Sequence, residues 1–188
     1  MLDAIDTKTQ PYPGQYMTLE EFERLPKNGI KYELLEGALI MTPAGLEHEE
    51  IGGNLYFAIR KYLEQKPIGH LYGSSAGYRM RDDSVLSPDL SFVRNEQLPY
   101  GRSPTGYGNF APDLVVEIIS PSDRVVDVEA KVRNDLANGT RLVWLIHPAL
   151  HSATVYHADG SARQLFDKDL LDGEDVLSGF SCRLGDIF

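Results

Sequence analysis

The sequence predicts an α/β protein in which a mixed β-sheet lies between two helices, and three observations lead there. Ile51, Leu55, Ile59 and Leu63 recur every fourth residue, with Ala58 and Tyr62 widening the stripe, which is the period of a one-faced helix. The run from Leu142 to Ile146 is continuously apolar, as a strand buried on both faces must be. Tight-turn pairs, Glu36-Gly37 and Asp159-Gly160, each sit between short apolar runs and mark hairpins near both ends of the chain.

The elements follow in order. Residues 1–16 are polar, with Pro11, Pro13 and Gly14 among the last six, and read as an arm before a single domain over 17–188. Met17 to Leu25 predicts a short helix in which Thr18 caps and Glu21 closes a capping box. Lys31 to Thr42 predicts a hairpin turning at Glu36-Gly37. Strand alternation sets Glu33 beside Leu35 on one face, so an edge carboxylate half in water and an acid aimed into a site both fit. Pro43-Ala44-Gly45 ends that strand. The long helix covers Glu47 to Gln65, with acids in its first turn, and Gly52 and Gly53 weaken it by about 1 kcal/mol each relative to alanine unless close packing requires them. Projecting its stripe backwards places His48 on the buried side, either as a satisfied structural histidine or at the border of a cleft.

His70 to Met80 reads as an irregular strand and Arg81 to Ser84 as a turn. Ser87 to Val93 is the next strand, and Glu96 to Phe110 a Gly-, Pro- and Tyr-rich loop of the length that tends to be functional. After a strand over 113–119, Val125 to Ala137 predicts a helix with Val125, Val128, Val132 and Leu136 as its apolar stripe and Asn138-Gly139 as its stop. A closing hairpin pairs Ala153 to Tyr156 with Arg163 to Phe166, and an acidic tail with short apolar patches runs to Phe188.

Composition narrows the function classes. Of 188 residues, 42% are hydrophobic and 24% charged, which excludes a disordered or collagen-like chain. Cys182 is the only cysteine, so neither an intrachain disulfide nor a Cys-based zinc site is available, and a cytoplasmic setting is expected. No run approaches the roughly 18 apolar residues of a membrane helix, and no membrane partner is expected. The net charge of -10 opposes a basic nucleic-acid surface, yet Arg60, Lys61, Lys66, Arg79 and Arg81, and again Arg124, Lys131, Arg133 and Arg141, leave room for a local one. There is no GxGxxG, Walker loop or HExxH.

The acids of the two Pro-Asp segments carry the remaining signal. Glu117 stands among Val115, Val116, Ile118 and Ile119, where burial of an unpaired carboxylate is costly. Asp113 shares its strand face but lies roughly 13 Å away, whereas ligands of one hard cation each lie at about 2.0 to 2.6 Å from it. If the strands at 87–93 and 113–119 are antiparallel neighbours, Asp89 faces the neighbourhood of Glu117 and Asp113 that of Val93. Two converging acids need a cation, either a divalent metal or a buried lysine, and the following helix leads Lys131 back over the strand end.

Tyr32-Glu33-Leu34-Leu35-Glu36-Gly37, His48 opening a helix, Ser87-Pro88-Asp89, the run from Pro112 to Ser122, Asp127 with Lys131, and Val143-Trp144-Leu145-Ile146 before Pro148 resemble, in order and spacing, the Uma-two family of the PD-(D/E)XK nuclease superfamily. The resemblance covers about residues 17 to 160. It implies a restriction-endonuclease-like core with extra hairpins at both ends, and a metal-dependent endonuclease acting on nucleic acid, most simply DNA. It further implies Asp89 and Glu117 as ligands of Mg²⁺, with Mn²⁺ as substitute, and Lys131 in place of the lysine expected at position 119, which is Ile119 here. Glu33 and His48 follow as an additional acid and a lining group. His147 and Asp135 depart from the family pattern, and a homodimer is compatible with cutting two strands. Two other readings stand beside this one: a binding or assembly module that keeps the fold without cleavage, and a small-ligand protein using the loop of Tyr100 and Tyr107.

Overall fold

Alternation along the central strands decides which layer each helix occupies. The computed structural model describes residues 11–26, 30–41 and 45–188, so the first ten residues of the arm and the strand break at Pro43-Ala44 lie outside the described residues. After α1 (Leu19–Glu23) and the hairpin β1 (Glu33–Leu35) and β2 (Ala38–Ile40) comes α2 (Leu46–Gln65). Then follow β3 (Gly69–Gly73), β4 (Tyr78–Arg79), β5 (Val85–Leu86), β6 (Leu90–Arg94) and β7 (Leu114–Ile118). The chain continues through α3 (Val125–Asn138), β8 (Leu142–His147), β9 (Ser152–His157), β10 (Ala162–Phe166), β11 (Leu170–Asp172) and β12 (Ser181–Arg183).

Six strands form the main sheet in the order β10-β9-β8-β7-β6-β3. Its sheet is mixed because β7 and β8, joined through α3, run parallel, while the other pairs are antiparallel. Leu114, Val116 and Ile118 point to the side of α2, where they join Ile51, Leu55, Ile59 and Leu63 with Trp144 in the principal core. Val115 points the other way, packing with Val143 and Val132 beneath α3. Glu117 follows Val115 by two residues and therefore shares the α3 side. Gly52 faces Ile118, but a Cβ on it would stand 3.4 Å from Ile118 Cδ1, an ordinary contact, so close packing there does not require glycine.

A second sheet of four strands, ordered β2-β1-β5-β4, stands beside the first. Both turn residues of its hairpin, Glu36 and Gly37, have positive φ (48° and 82°), as a two-residue turn matched to strand twist requires. Residues 14–17 run along this hairpin through Gly14 N–H to Leu39, Leu39 N–H to Gln15 and Met17 N–H to Gly37. The capping box of Thr18 and Glu21 opens α1, and Phe22 closes over Leu34, Leu39 and Val85.

Four expectations change. The strand predicted over 87–93 begins only at Leu90, and Ser87-Pro88-Asp89 is instead the corner between β5 in the small sheet and β6 in the main one; proline removes a ladder donor and Asp89 bonds sideways. The irregular strand at 70–80 likewise divides into β3 and β4, one in each sheet. The apolar stripe predicted for α3 fails at its start, because Val125 and Val126 are exposed, while Lys131, Asn134, Asp135 and Asn138 are buried. That polar i, i+3, i+4, i+7 face meets the small sheet, where Asn134 donates to Asp82 and Asn138 accepts from Arg81 N–H. The acidic tail is part of the main core: it forms the β11–β12 hairpin and buries Leu171, Val176, Leu177, Phe180, Leu184 and Ile187.

Candidate active site

The site forms where the corner meets the end of β7. The β6–β7 register pairs Leu90 with Val116, and one step further brings Asp89 beside Glu117. Asp89 Oδ2 accepts from Ile118 N–H at 2.9 Å and lies 2.9 Å from His48 Nε2, while Oδ1 takes Lys31 Nζ at 3.4 Å. His48 thus reaches Asp89 from the first turn of α2 and Lys31 from the approach to β1. Burial opposes ionisation of Asp89, but the His48 hydrogen bond and the Lys31 charge outweigh it and hold the carboxyl below its ordinary value. For His48 burial pulls the other way from Asp89, and the bond and charge of Asp89 win, raising its pKa.

Glu117 sits deeper. Burial pushes its pKa up to about 8, with the nearby charges of Asp89 and Glu33 adding to the rise and that of Lys131 opposing it. Its Oε2 lies 3.6 Å from Lys131 Nζ, and its Oε1 is buried with no hydrogen-bond partner. Lys131 Nζ donates to Glu33 Oε2 at 2.5 Å, and Glu33 Oε1 accepts from Ser87 N–H at 2.7 Å. Burial alone would lower the Lys131 pKa, yet Glu117 and Glu33 together raise it, so the ammonium is held charged. Glu33 is 3% exposed and lies on a strand paired on both sides, so of its two readings the half-exposed edge residue is excluded.

The five residues singled out in the sequence therefore form two linked sets, Asp89 with His48 and Lys131 with Glu33 and Glu117. The charges of Asp89 and Glu117 act on one another across the strand end. Asp113 is elsewhere: it accepts from Arg94 N–H and Nε at 2.9 and 3.0 Å. Among the described residues no three His, Cys, Asp or Glu side chains gather closely enough to hold a metal ion by themselves. A cleft of about 190 Å³ opens over Asp89, bordered by His48, Gly53, Gly73, Ser74 and Ile118.

Two participants escaped the sequence reading. Lys31 precedes Glu33 by two residues, so strand alternation already placed both on one face. Asp135 follows Lys131 by four on α3; it is fully buried, neither carboxylate oxygen has a partner, and burial with the charge of Glu117 raises its pKa well above normal.

A mixed sheet with a helix on each face and charged groups gathered at the end of its central strands defines a nuclease-like α/β fold. The chain belongs to the Uma2 family, described as "Putative restriction endonuclease", which matches residues 19–185. Among solved structures it is similar to a protein described as a putative nuclease belonging to DUF820 from Anabaena variabilis ATCC 29413, with a TM-score of 0.81 and 24% identity over 92% of this chain and 97% of that one. No curated protein matches the chain. Among the described residues no helix is long and apolar enough to cross a membrane.

Proposed function

We propose that the chain is a metal-dependent endonuclease that hydrolyses phosphodiester bonds, with DNA as substrate, in the cytoplasm. The observation that carries this reading is Glu117 Oε1, a buried carboxylate oxygen with no hydrogen-bond donor, one strand step across from Asp89, which lines the open cleft. Such an oxygen is costly to ionise unless a cation reaches it. The donor set is hard oxygen, which suits Mg²⁺ or Mn²⁺; Mg²⁺ commonly takes only one or two carboxylates and completes its shell with water and substrate phosphate, so two acids suffice. Asp89 and Glu117 would hold the ion, and when bound it would polarise a phosphoryl oxygen and lower the pKa of a bound water.

The chain's own groups do the rest. Ile118 N–H and His48 fix the Asp89 carboxylate, leaving Oδ1 with only the longer Lys31 contact. Lys131, held charged between Glu33 and Glu117, offsets negative charge that develops on the phosphate in the transition state. Glu33 positions that ammonium and ties it to the corner through Ser87. The family description and the described nature of the DUF820 neighbour support hydrolysis of nucleic acid.

The test is nicking of supercoiled plasmid with Mg²⁺. Wild type is expected to nick, and Glu117→Gln to lose at least a hundredfold in rate; equal rates would sink the assignment. One observation favours the second reading, a binding module without cleavage: Lys131 is already paired with two acids. Calorimetric titration with Mn²⁺ separates the two, because a degenerate module shows no binding that depends on Asp89.

A further inference from the structure

A second, larger cleft lies across edge strand β3 from the first. It measures about 540 Å³ and is walled by Tyr72, Tyr78, Tyr107 and Phe110, with the hydroxyls of Ser75 and Thr105 at its edge. The ridge between the clefts is a single stretch of chain: Gly73 and Ser74 border the Asp89 cleft, and Tyr72, Ser75 and Ala76 border this one. The two clefts flank edge strand β3, one on the α2 side of the sheet and one on the other, so a strand leaving the Asp89 cleft around this edge would meet the aromatic cleft.

The walls are built rather than incidental. The long loop is fastened to β4 by Gly108 N–H to Gly77 and Arg79 N–H to Gly108. Tyr107 packs against the bare backbone of Gly77, where a Cβ would come within 2.6 Å of its ring, and Tyr78 packs against Gly108 in the same way at 2.9 Å. Tyr78 is anchored through its hydroxyl to Ser91 at 2.7 Å and Tyr72 through its own to Ser103 at 2.8 Å, so the rings are held in place. Tyr107 remains 44% exposed. Glu23 is the one acid among the lining residues, and Arg79 stands 3.9 Å from it, so the cleft does not repel a polyanion as the chain's net charge suggests.

Resting on the nuclease reading above, we propose that this cleft receives an unstacked nucleobase of the bound strand, sandwiched by Tyr107 and Tyr72, with the hydroxyls and backbone at the rim meeting its polar edge. Planar rings, sequence-tolerant stacking faces and hydroxyl edges are what single-stranded nucleic acid needs. The chain then engages its substrate as a single strand or as a duplex with one base turned out beside the cut.

Photocrosslinking tests this. A single-stranded DNA oligonucleotide with one 5-iodouracil is irradiated with the full chain in EDTA, and adducts are mapped by mass spectrometry. Adducts are expected on Tyr107 or Tyr72. Their yield should fall at least tenfold in the Tyr72→Ala/Tyr107→Ala double variant, and also in Gly77→Ala, which displaces the Tyr107 ring without removing it. Adducts confined to other residues, such as Tyr56 beside the Asp89 cleft, or equal yields in these variants, would overturn the proposal. So would equal labelling by free 5-iodouridine at the same concentration, which would mark a free-nucleoside site. Plasmid nicking without these adducts removes the base site and leaves the nuclease reading intact. Adducts at these tyrosines in a chain that never nicks do the reverse.

Discussion

Lys131 donates to Glu33 at 2.5 Å, joining α3 to β1 across 98 residues of chain. Both partners are buried, so removing Lys131 leaves the Glu33 carboxylate without a counter-charge. Lys131→Met is expected to destabilise the fold by about 3–5 kcal/mol in urea denaturation. At concentrations where the variant remains folded, it should still lose a hundredfold or more in plasmid nicking.

Glu117 gives a pH signature. Its carboxyl keeps its proton to about pH 8 in the folded chain, against an ordinary value of 4.5. A metal ion at Glu117 must displace that proton, so the affinity for Mn²⁺ should rise about tenfold per pH unit up to pH 8 and level off above it. Calorimetry at pH 6, 7, 8 and 9 measures this, and a flat profile contradicts it.

The same shift acts on stability. Between pH 4.5 and 8 the unfolded chain has lost a proton that the folded chain keeps, so stability falls as pH rises through that window and is level above it. Glu117→Gln removes this contribution. Its urea midpoint should drop less than that of wild type between pH 5 and pH 8.

Asp113 is the control for Asp89. Its carboxylate is committed to Arg94, so Asp113→Asn should lower stability by about 1–3 kcal/mol while leaving Mn²⁺ affinity and nicking unchanged. Asp89→Asn should do the opposite in kind, abolishing Mn²⁺ binding.

The tail is testable as core. Phe180 is buried against Trp144 and Tyr62, with ring centroids 6.0 and 5.6 Å away. Phe180→Ala should cost about 3–5 kcal/mol, measured by thermal or urea unfolding. A surface tail would show almost none of this.

What was legible in the sequence was whatever repeats at short range. The every-fourth spacing of Ile51, Leu55, Ile59 and Leu63 located α2 and its buried face, and Thr18 with Glu21 located the cap of α1. The antiparallel pairing of β6 and β7 was a supposition about neighbours, and the register bears it out. Local pattern could not show that the chain changes sheets at Ser87-Pro88-Asp89, because both sides read as extended apolar chain. It misled at α3, where valines at 125 and 126 are exposed and the buried face is polar. That face is buried because a second sheet lies over it, and nothing within α3 announces a distant sheet. The tail failed for a similar reason: Val176, Leu177 and Phe180 lie in a mostly polar segment and gain their role only by reaching Leu63 and Trp144.

The two acids on either side of Lys131 differ in what else they hold. Glu33 satisfies the Ser87 N–H as well as the ammonium, and so fastens one sheet to the other, whereas Glu117 leaves an oxygen idle. Activity and architecture are therefore separable at one position and inseparable at the other. If Glu117 serves cleavage as proposed, a lineage losing that activity can discard it at little cost to its shape, but not Glu33 or Lys131. On the proposed mechanism, a relative that keeps Glu33 and Lys131 but lacks Glu117 should keep the fold and fail to nick plasmid.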